Sequence, residues 1–400
     1  MLKPPHLLFA GGGSLGYLHP GLSIAEELRQ RTPGVRVSFA GDGRPIERQT
    51  IRAAGHGYFA IPGRQQASGP WSAVRYATDN ALGHLASRWL LKEHDVSLVV
   101  GLGGHASEPF CHAAYAWGLP FVLYEQNAEP APATRRLAEK ADIVCLAVEQ
   151  AACRVPFGAC ATITGATGRP KILSLNRLRG RADRSVARAS IPETPVPTEN
   201  RRLVVLGGAG GARSLNEAMP RVAAQLREPL AGWTIVHQTG EGQFAATEKG
   251  YRDAGVDAVV VTYIDELADL LMDTDLVICR ASGCTLAEMA LAVTPAIVVP
   301  DSRALYGTQR ANADLYAAAG ACEIVDESMG ALTPELAQTL GSLVSSPARL
   351  ETMSRAASDM VWPGAAERIA SACCDSLGLT DAVSGVSLGH GKAVGRLRAA

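Results

Sequence analysis

The segment from Asp275 to Ala313 holds the side chains with the clearest chemistry. Residues 280–285 are small and polar, and Ser282 with Gly283 allows a tight turn after the apolar run at residues 276–279. Helical character follows over residues 285–292. A helix that opens on such a turn has N–H groups unpaired at its start, directed out from the carboxyl end of the strand. Those donors and the helix dipole favour a phosphate there. Glu288 follows within the first turns. A carboxylate so close to a phosphate is repelled unless it reaches past it to hydroxyl groups, and a ribose diol meets that requirement. The segment suggests a nucleoside diphosphate with its sugar. An ordinary βαβ crossover with a capped helix has the same small polar turn, so this stretch alone leaves both readings open.

The elements that must position these residues read as two α/β halves. Residues 6–10 form a short apolar strand, and residues 11–16 match G-x-G-x-x-G ahead of a helix from Pro20 to Leu28. A second strand at 35–40 ends at Asp42, which together resembles a dinucleotide fingerprint with Asp42 on a ribose. An NAD-dependent oxidoreductase is therefore one rival reading. Residues 96–100 and 121–124 are further strands. They end in Gly101-Leu102-Gly103-Gly104-His105 and in Glu125-Gln126-Asn127, where open α/β sheets bind ligands. A second glycine-rich turn, residues 207–213, follows the strand at 203–206 and opens another helix. Asp273-Thr274-Asp275 spells the D-x-D of metal-dependent glycosyltransferases, but it precedes its strand and so lies at the wrong end of the sheet; no metal site is expected.

From Pro70 to His94, Trp71, Val74, Leu82, Leu85 and Trp89 recur at near-helical spacing among Arg75, Arg88 and Lys92. The first reading is a core-facing amphipathic helix. The alternative is a membrane-surface patch of aromatic and basic residues. The expected domains are residues 1–160 and 161–346, with helices at 347–377 returning to the first and a disordered tail at 378–400.

Composition narrows the class. Hydrophobic residues make up 47% and charged residues 19%, as in a folded soluble protein. The formal net charge of −1 gives no general attraction to nucleic acid. The nine cysteines include no C-x-x-C, which points to buried free thiols in a reducing compartment. No uncharged apolar run approaches the roughly 20 residues of a spanning helix.

The motifs together resemble the MurG family, the N-acetylglucosaminyltransferases that make lipid II in peptidoglycan synthesis. Gly12-Gly13-Ser14-Leu15-Gly16-Tyr17-Leu18-His19-Pro20 is similar to the family's G-G-T-G-G-H-x-x-P. Gly103-Gly104-His105-Ala106-Ser107 is similar to G-G-Y-x-S, and Tyr124-Glu125-Gln126-Asn127 to H-E-Q-N. Thr164 to Arg169 resembles T-G-N-P-V-R, and Gly207 to Asn216 resembles G-G-S-Q-G-A-R-x-L-N. His237-Gln238-Thr239-Gly240 matches H-Q-T-G. Tyr263-Ile264-Asp265 is like F-I-D, and Arg280, Thr285, Glu288, Gln309 and Asn312 match the donor motif.

The resemblance implies a GT-B architecture, two Rossmann-like doubly wound domains facing across a cleft, with no cofactor. It implies UDP-N-acetylglucosamine as donor and an undecaprenyl-pyrophosphoryl-linked muramyl-pentapeptide as acceptor, used at the inner face of the cytoplasmic membrane by a peripheral cytoplasmic protein. By position, Ile264 would meet the uracil and Glu288 the ribose. Arg169 with Gly283, Cys284, Thr285, Leu286 and Ala287 would hold the diphosphate. Thr308 and Gln309 would face the sugar hydroxyls, and Ala209 would line the donor turn. Asn127, Ser14, Leu15 and Gly16 would lie near the transferred sugar and acceptor. The reaction is displacement of UDP at the sugar C1 with inversion. His105 and Glu125 are candidates for its base, with Tyr17 positioning.

Several residues depart from the family pattern. Its first-loop histidine is Tyr17 here and its G-G-Y tyrosine is His105, as if the two had exchanged roles. His19 takes a position that is usually apolar, where packing is the expected role. Ala209, Gly210 and Ala166 replace polar side chains. A relative with another acceptor, or one that binds lipid precursor without turnover, is therefore the alternative reading.

Overall fold

The computed structural model describes residues 3–61, 70–104, 106–179, 201–208, 210–327 and 332–379, with side chains for all of these except 70–81, 177–179 and 305. His105, Ala209 and the tail from 380 lie outside the described residues. The chain divides into two compact units, one formed by Met1–Pro170 with Trp362–Ala400 and the other by Lys171–Val361.

In chain order the first unit contains β1 (His6–Gly11), α1 (Leu15–Arg31), β2 (Arg36–Gly41), α2 (Pro45–Ala53), β3 (Gly57–Ala60), α3 (Pro70–Glu93), β4 (Leu98–Gly103), α4 (Ser107–Ala116), β5 (Phe121–Glu125), α5 (Pro132–Leu137), β6 (Ile143–Leu146) and β7 (Ala161–Ile163). All seven strands are parallel, in the order β3-β2-β1-β4-β5-β6-β7. A parallel sheet covered on both faces needs strands that are apolar throughout. Leu7, Leu8, Phe9 and Ala10 are accordingly all buried.

The second unit opens with α6 (Pro170–Arg179). It continues with β8 (Arg201–Leu206), α7 (Arg213–Gln225), β9 (Trp233–Gln238), α8 (Phe244–Asp253), β10 (Ala258–Val261), α9 (Leu267–Met272), β11 (Leu276–Cys279) and α10 (Gly283–Ala292). It ends with β12 (Ala296–Val298), α11 (Thr308–Ala318), β13 (Cys322–Ile324), α12 (Leu332–Val344) and α13 (Pro347–Asp359). Its strands are again parallel, ordered β10-β9-β8-β11-β12-β13. Leu276–Cys279 is fully buried at its centre.

In each sheet the strand order reverses beside the first strand, between β1 and β4 and between β8 and β11. Adjacent loops leave in opposite directions there, which opens a crevice at the carboxyl ends. All the glycine-rich turns and the Arg280–Gly283 turn follow these four strands.

Two boundaries differ from the sequence reading. Residues 161–163 pair with β6 in the first sheet, Val144 opposite Ala161, so the first unit runs on to Pro170. Helix α13 stays with the second unit, where Ser354 Oγ donates to the Val293 carbonyl at 2.6 Å. Only α14 (Ala365–Ser376) returns to the first unit; it buries Ile369 and Cys373 and packs beside α1.

Helix α3 also differs from its first reading. Leu82, Leu85 and Trp89 are 54%, 64% and 61% exposed, while Leu90 and Leu91 face the core. Trp71 and Val74 lie among the undescribed side chains. The apolar stripe over Leu82–Trp89 is therefore a surface feature. Trp117 and Tyr115 are exposed on the same unit, with Arg88 over the Trp117 ring and Lys140 over that of Tyr115.

Candidate active site

On the second unit, the turn between β11 and α10 is held by its neighbours. Ser282 has extended backbone, caps α10 by accepting from Thr285 N–H at 3.3 Å, and donates to Thr285 Oγ1 at 2.7 Å. Helix α11 grips the preceding residue from both sides. Gln309 Oε1 accepts from Ala281 N–H at 3.2 Å and from Asp301 N–H at 2.9 Å, while Asn312 Nδ2 donates to the Ala281 carbonyl at 3.0 Å. Two backbone donors thus fix the Gln309 amide with its oxygen inward and its NH2 as the group left for a ligand.

Arg280 is occupied structurally. Its Nη1 donates to the Val299 carbonyl and to Glu327 Oε2, and Nη2 donates to Ser214 Oγ, all at 2.9–3.0 Å. Ser214 Oγ donates to the same Glu327 oxygen at 2.6 Å, and Ser302 N–H donates to the other at 3.0 Å. Burial works to raise the Glu327 carboxyl. The hydrogen bonds from Ser214 and Ser302 and the Arg280 charge outweigh it, so the group sits below its ordinary range. The network ties the start of α7, the end of β11 and the loop before α11 together.

The other expected donor-site residues sort by burial. Gly283 and Thr285 are partly exposed at the helix start. Cys284, Leu286 and Ala287 turn their side chains into the core, so only their backbone could serve a diphosphate. Glu288 is buried on the second turn of α10. Thr308 is half-buried at the start of α11, and Ile264 packs against the core from the loop before α9.

The turn after β8 packs closely on the end of β9. A Cβ at Gly211 would lie 2.3 Å from the Thr239 carbonyl oxygen. Beneath it runs a buried chain that sequence reasoning missed. Asn216 Nδ2 donates to the Thr239 carbonyl and to Gln243 Oε1, which leaves Asn216 Oδ1 to pair with His237 Nε2 at 3.0 Å. His237 Nδ1 faces Tyr251 Oη at 2.9 Å. Asn216 has its oxygen toward Nε2, so Nε2 carries the proton and Tyr251 donates to Nδ1. Burial lowers His237 to about 4 and keeps it neutral.

On the first unit, Ser14 caps α1 and accepts from Gly16 N–H at 3.2 Å. Leu15 is buried, so its side chain packs in the core; Gly16 is half-buried. The Tyr17 ring lies against Gly103, where a Cβ would sit 2.8 Å from it. Burial, then the Glu125 charge, pushes the Tyr17 hydroxyl up to about 12. Tyr17 is thus a neutral donor at neutral pH.

Glu125, one of the candidate bases, is engaged on both oxygens. Its Oε1 accepts from Asn127 N–H at 3.0 Å and Asn127 Nδ2 at 2.8 Å. Its Oε2 accepts from Ala131 N–H at 2.9 Å and Thr134 Oγ1 at 2.7 Å. The roughly four lone-pair positions of a carboxylate are all taken, and none is left for a substrate proton. The carboxylate instead sets the loop that presents Asn127. Arg169 is half-buried beside His19, which is buried and held neutral by burial and then by the Arg169 charge. Thr167 N–H donates to Tyr124 Oη at 3.1 Å, which links two positions that depart from the family motifs.

Close packing accounts for the glycines of the first turn without a dinucleotide. A Cβ at Gly12 would lie 2.3 Å from Asp42 Oδ1, and one at Gly104 would lie 2.0 Å from the Gly12 carbonyl oxygen. The first glycine-rich turn makes its close approach to a neighbouring loop and to the Asp42 side chain. Asp273 pairs with Arg202 Nη1 at 2.6 Å, and Asp275 accepts from Arg202 N–H at 2.9 Å, so both carboxylates of the D-x-D are structural.

Comparison with known proteins agrees with this geometry. Residues 7–145 match the glycosyltransferase family 28 N-terminal domain, and residues 202–369 match the family 28 C-terminal domain. The UDP-N-acetylglucosamine–N-acetylmuramyl-(pentapeptide) pyrophosphoryl-undecaprenol N-acetylglucosamine transferase of Geobacter metallireducens is 34% identical over 365 residues, 91% of this chain and 96% of that protein. The chain belongs to this family, the MurG transferases. The Myxococcus xanthus MurG transferase is 33% identical over 371 residues, 92% of each chain. The crystal structure of Acinetobacter baumannii MurG superposes with a TM-score of 0.66 at 27% identity, covering 92% of this chain and 99% of that one. The Neisseria meningitidis UDP-GlcNAc 2-epimerase, at 13% identity and a TM-score of 0.65, shares the fold. The two Rossmann-like units are those of the GT-B architecture of MurG.

Proposed function

We propose that this MurG-family protein transfers N-acetylglucosamine from UDP-N-acetylglucosamine, with inversion, to the undecaprenyl-pyrophosphoryl-linked muramyl-pentapeptide. The observation that carries this reading is the clamped Ala281–Ser282 turn, with Glu288 one turn further on and the Gln309 amide donor beside it. The start of α10 offers backbone N–H groups and the positive end of a helix dipole to the leaving diphosphate. Glu288 takes the ribose hydroxyls, Ile264 the uracil, and Gln309 donates to sugar oxygens. As the acceptor oxygen bonds to C1 and the bond to UDP breaks, a base must take the hydroxyl proton. Tyr17 keeps its own proton at neutral pH and Glu125 is saturated. Both position the acceptor side, and the base role passes to His105.

The exposed Leu82, Leu85, Trp89 and Trp117, with Arg88 and Lys140 among them, support docking on the membrane that carries the acceptor lipid. No helix among the described residues is long and apolar enough to cross a membrane. We place the protein peripherally on the cytoplasmic face.

A thermal-shift titration tests the donor site. UDP raises the melting temperature of the wild type and not of Glu288→Ala, while NAD has no effect. Stabilisation by NAD and none by UDP would overturn the reading.

A further inference from the structure

Glu47 is a fully buried carboxylate that none of the steps above uses. It lies on α2, yet its Oε1 accepts from Gly13 N–H at 3.1 Å, 34 residues away in sequence. Its Oε2 accepts from Asp42 N–H at 3.1 Å and from the Tyr58 hydroxyl at 2.6 Å, and that hydroxyl accepts from Gly43 N–H at 2.8 Å. The hub passes directly over Gly41, where a Cβ would sit 2.6 Å from Tyr58 Oη and 2.7 Å from Glu47 Oε2. Gly12 is enclosed by Asp42 and by Gly104, as described above. The turn after β1 is thus held from one side by a carboxylate and from the other by neighbouring loops.

This arrangement decides which backbone donors the turn can offer. Gly13 N–H is committed to Glu47, Gly16 N–H to Ser14 Oγ, and Tyr17 N–H to the Ser14 carbonyl. Among the described residues, the N–H groups of Ser14 and Leu15 have no acceptor. At a helix start such groups are the ones a ligand oxygen meets.

We propose that Glu47 is the positioning residue of the acceptor-side turn, orienting the Ser14 and Leu15 N–H groups for the acceptor by holding Gly13 and Asp42. The proposal rests on the transferase reading for what the turn binds, but not for what holds the turn. Glu47→Gln keeps the size of the side chain and replaces one acceptor oxygen by an NH2, which leaves a buried donor at Gly13, Asp42 or Tyr58 without its acceptor. Tyr58→Phe removes one arm of the hub and leaves both backbone bonds in place.

The test uses the full chain and both variants. Hydrogen exchange at the amides of residues 11–17 and 207–213 reports the turns directly. Kinetics with a short-chain lipid-linked muramyl-pentapeptide analogue and UDP-N-acetylglucosamine report their use. Glu47→Gln is expected to speed exchange at residues 11–17 and not at 207–213. It should raise the acceptor KM on the order of tenfold, the scale of one orphaned buried donor, with the donor KM and UDP affinity unchanged. Tyr58→Phe should move the same readouts less. Unchanged exchange at residues 11–17 overturns the proposal. So does a parallel loss of melting temperature, kcat and both KM values, which would make Glu47 a general fold residue. If the wild type turns over no such acceptor, the transferase reading falls. The exchange data then still decide whether Glu47 holds the turn.

Discussion

The side-chain oxygen of Gln309 lies 3.2 Å from the backbone nitrogen of Ala281, and the hydrogen bond it accepts there sets which end of the amide a ligand meets. Asp301 N–H takes the other lone pair, so recognition falls to the NH2. Gln309→Glu retains both acceptors for the backbone but loses the donor and adds a charge. Steady-state kinetics should show a donor KM raised by about tenfold or more, since sites built to hydrogen-bond a hydroxyl discriminate strongly. The melting temperature should barely move. Gln309→Ala should lower both affinity and stability, because the turn loses its anchor.

Glu125 offers a sharper contrast between roles. In Glu125→Gln an NH2 faces one of four donors, and the Asn127 loop shifts. A kcat reduced by one to two orders of magnitude is expected, with the acid limb of the pH–kcat profile kept in place. Disappearance of that limb in the variant would return Glu125 to the role of base.

Stability should depend on pH through the buried imidazoles. His237 is neutral in the folded protein, lowered to about 4 by burial, while the unfolded chain takes up a proton near 6.5. The unfolded state therefore binds more protons below 6.5, and stability falls as pH drops from 6.5 toward 4. The loss from His237 alone is on the order of 3 kcal/mol by the lower end. His19 adds in the same direction. Glu327 acts in a separate, more acid window. Its stabilisation is complete above the ordinary carboxylate value and is lost as pH falls through its lowered one. Melting curves between pH 8 and 4 should fall steadily below 6.5; a flat profile would contradict the assigned neutral state.

Val293 ends α10 in the left-handed region, with φ 57°. A β-branched residue there is strained by roughly 1–2 kcal/mol. Val293→Gly should raise the urea midpoint by a net gain of about 0.5–1 kcal/mol, with activity retained. A lower midpoint would mean that the Val293 side-chain contacts outweigh its backbone strain.

The parallel strands were legible as short apolar runs, because a strand covered on both faces tolerates little else. The turns at 12–16, 103–104, 207–213 and 280–283 were legible because close backbone approach demands glycine or small polar residues. What the sequence hid was long-range pairing. Nothing near Glu125 reveals that Ala131 and Thr134 saturate it. Arg280 matches the donor motif in sequence, but nothing local shows that Glu327, 47 residues on, engages it. Residues 161–163 look alike whichever sheet they join, so the boundary at Pro170 carried no local signal. The stripe over Leu82–Trp89 has helical spacing either way, and periodicity alone does not say whether protein or another phase covers it.

UDP release from UDP-N-acetylglucosamine, measured with and without a short-chain lipid-linked muramyl-pentapeptide, reads the transfer itself. Release should depend on the acceptor and collapse in Glu288→Ala. Release that ignores the acceptor, or that survives Glu288→Ala undiminished, would contradict the transferase reading.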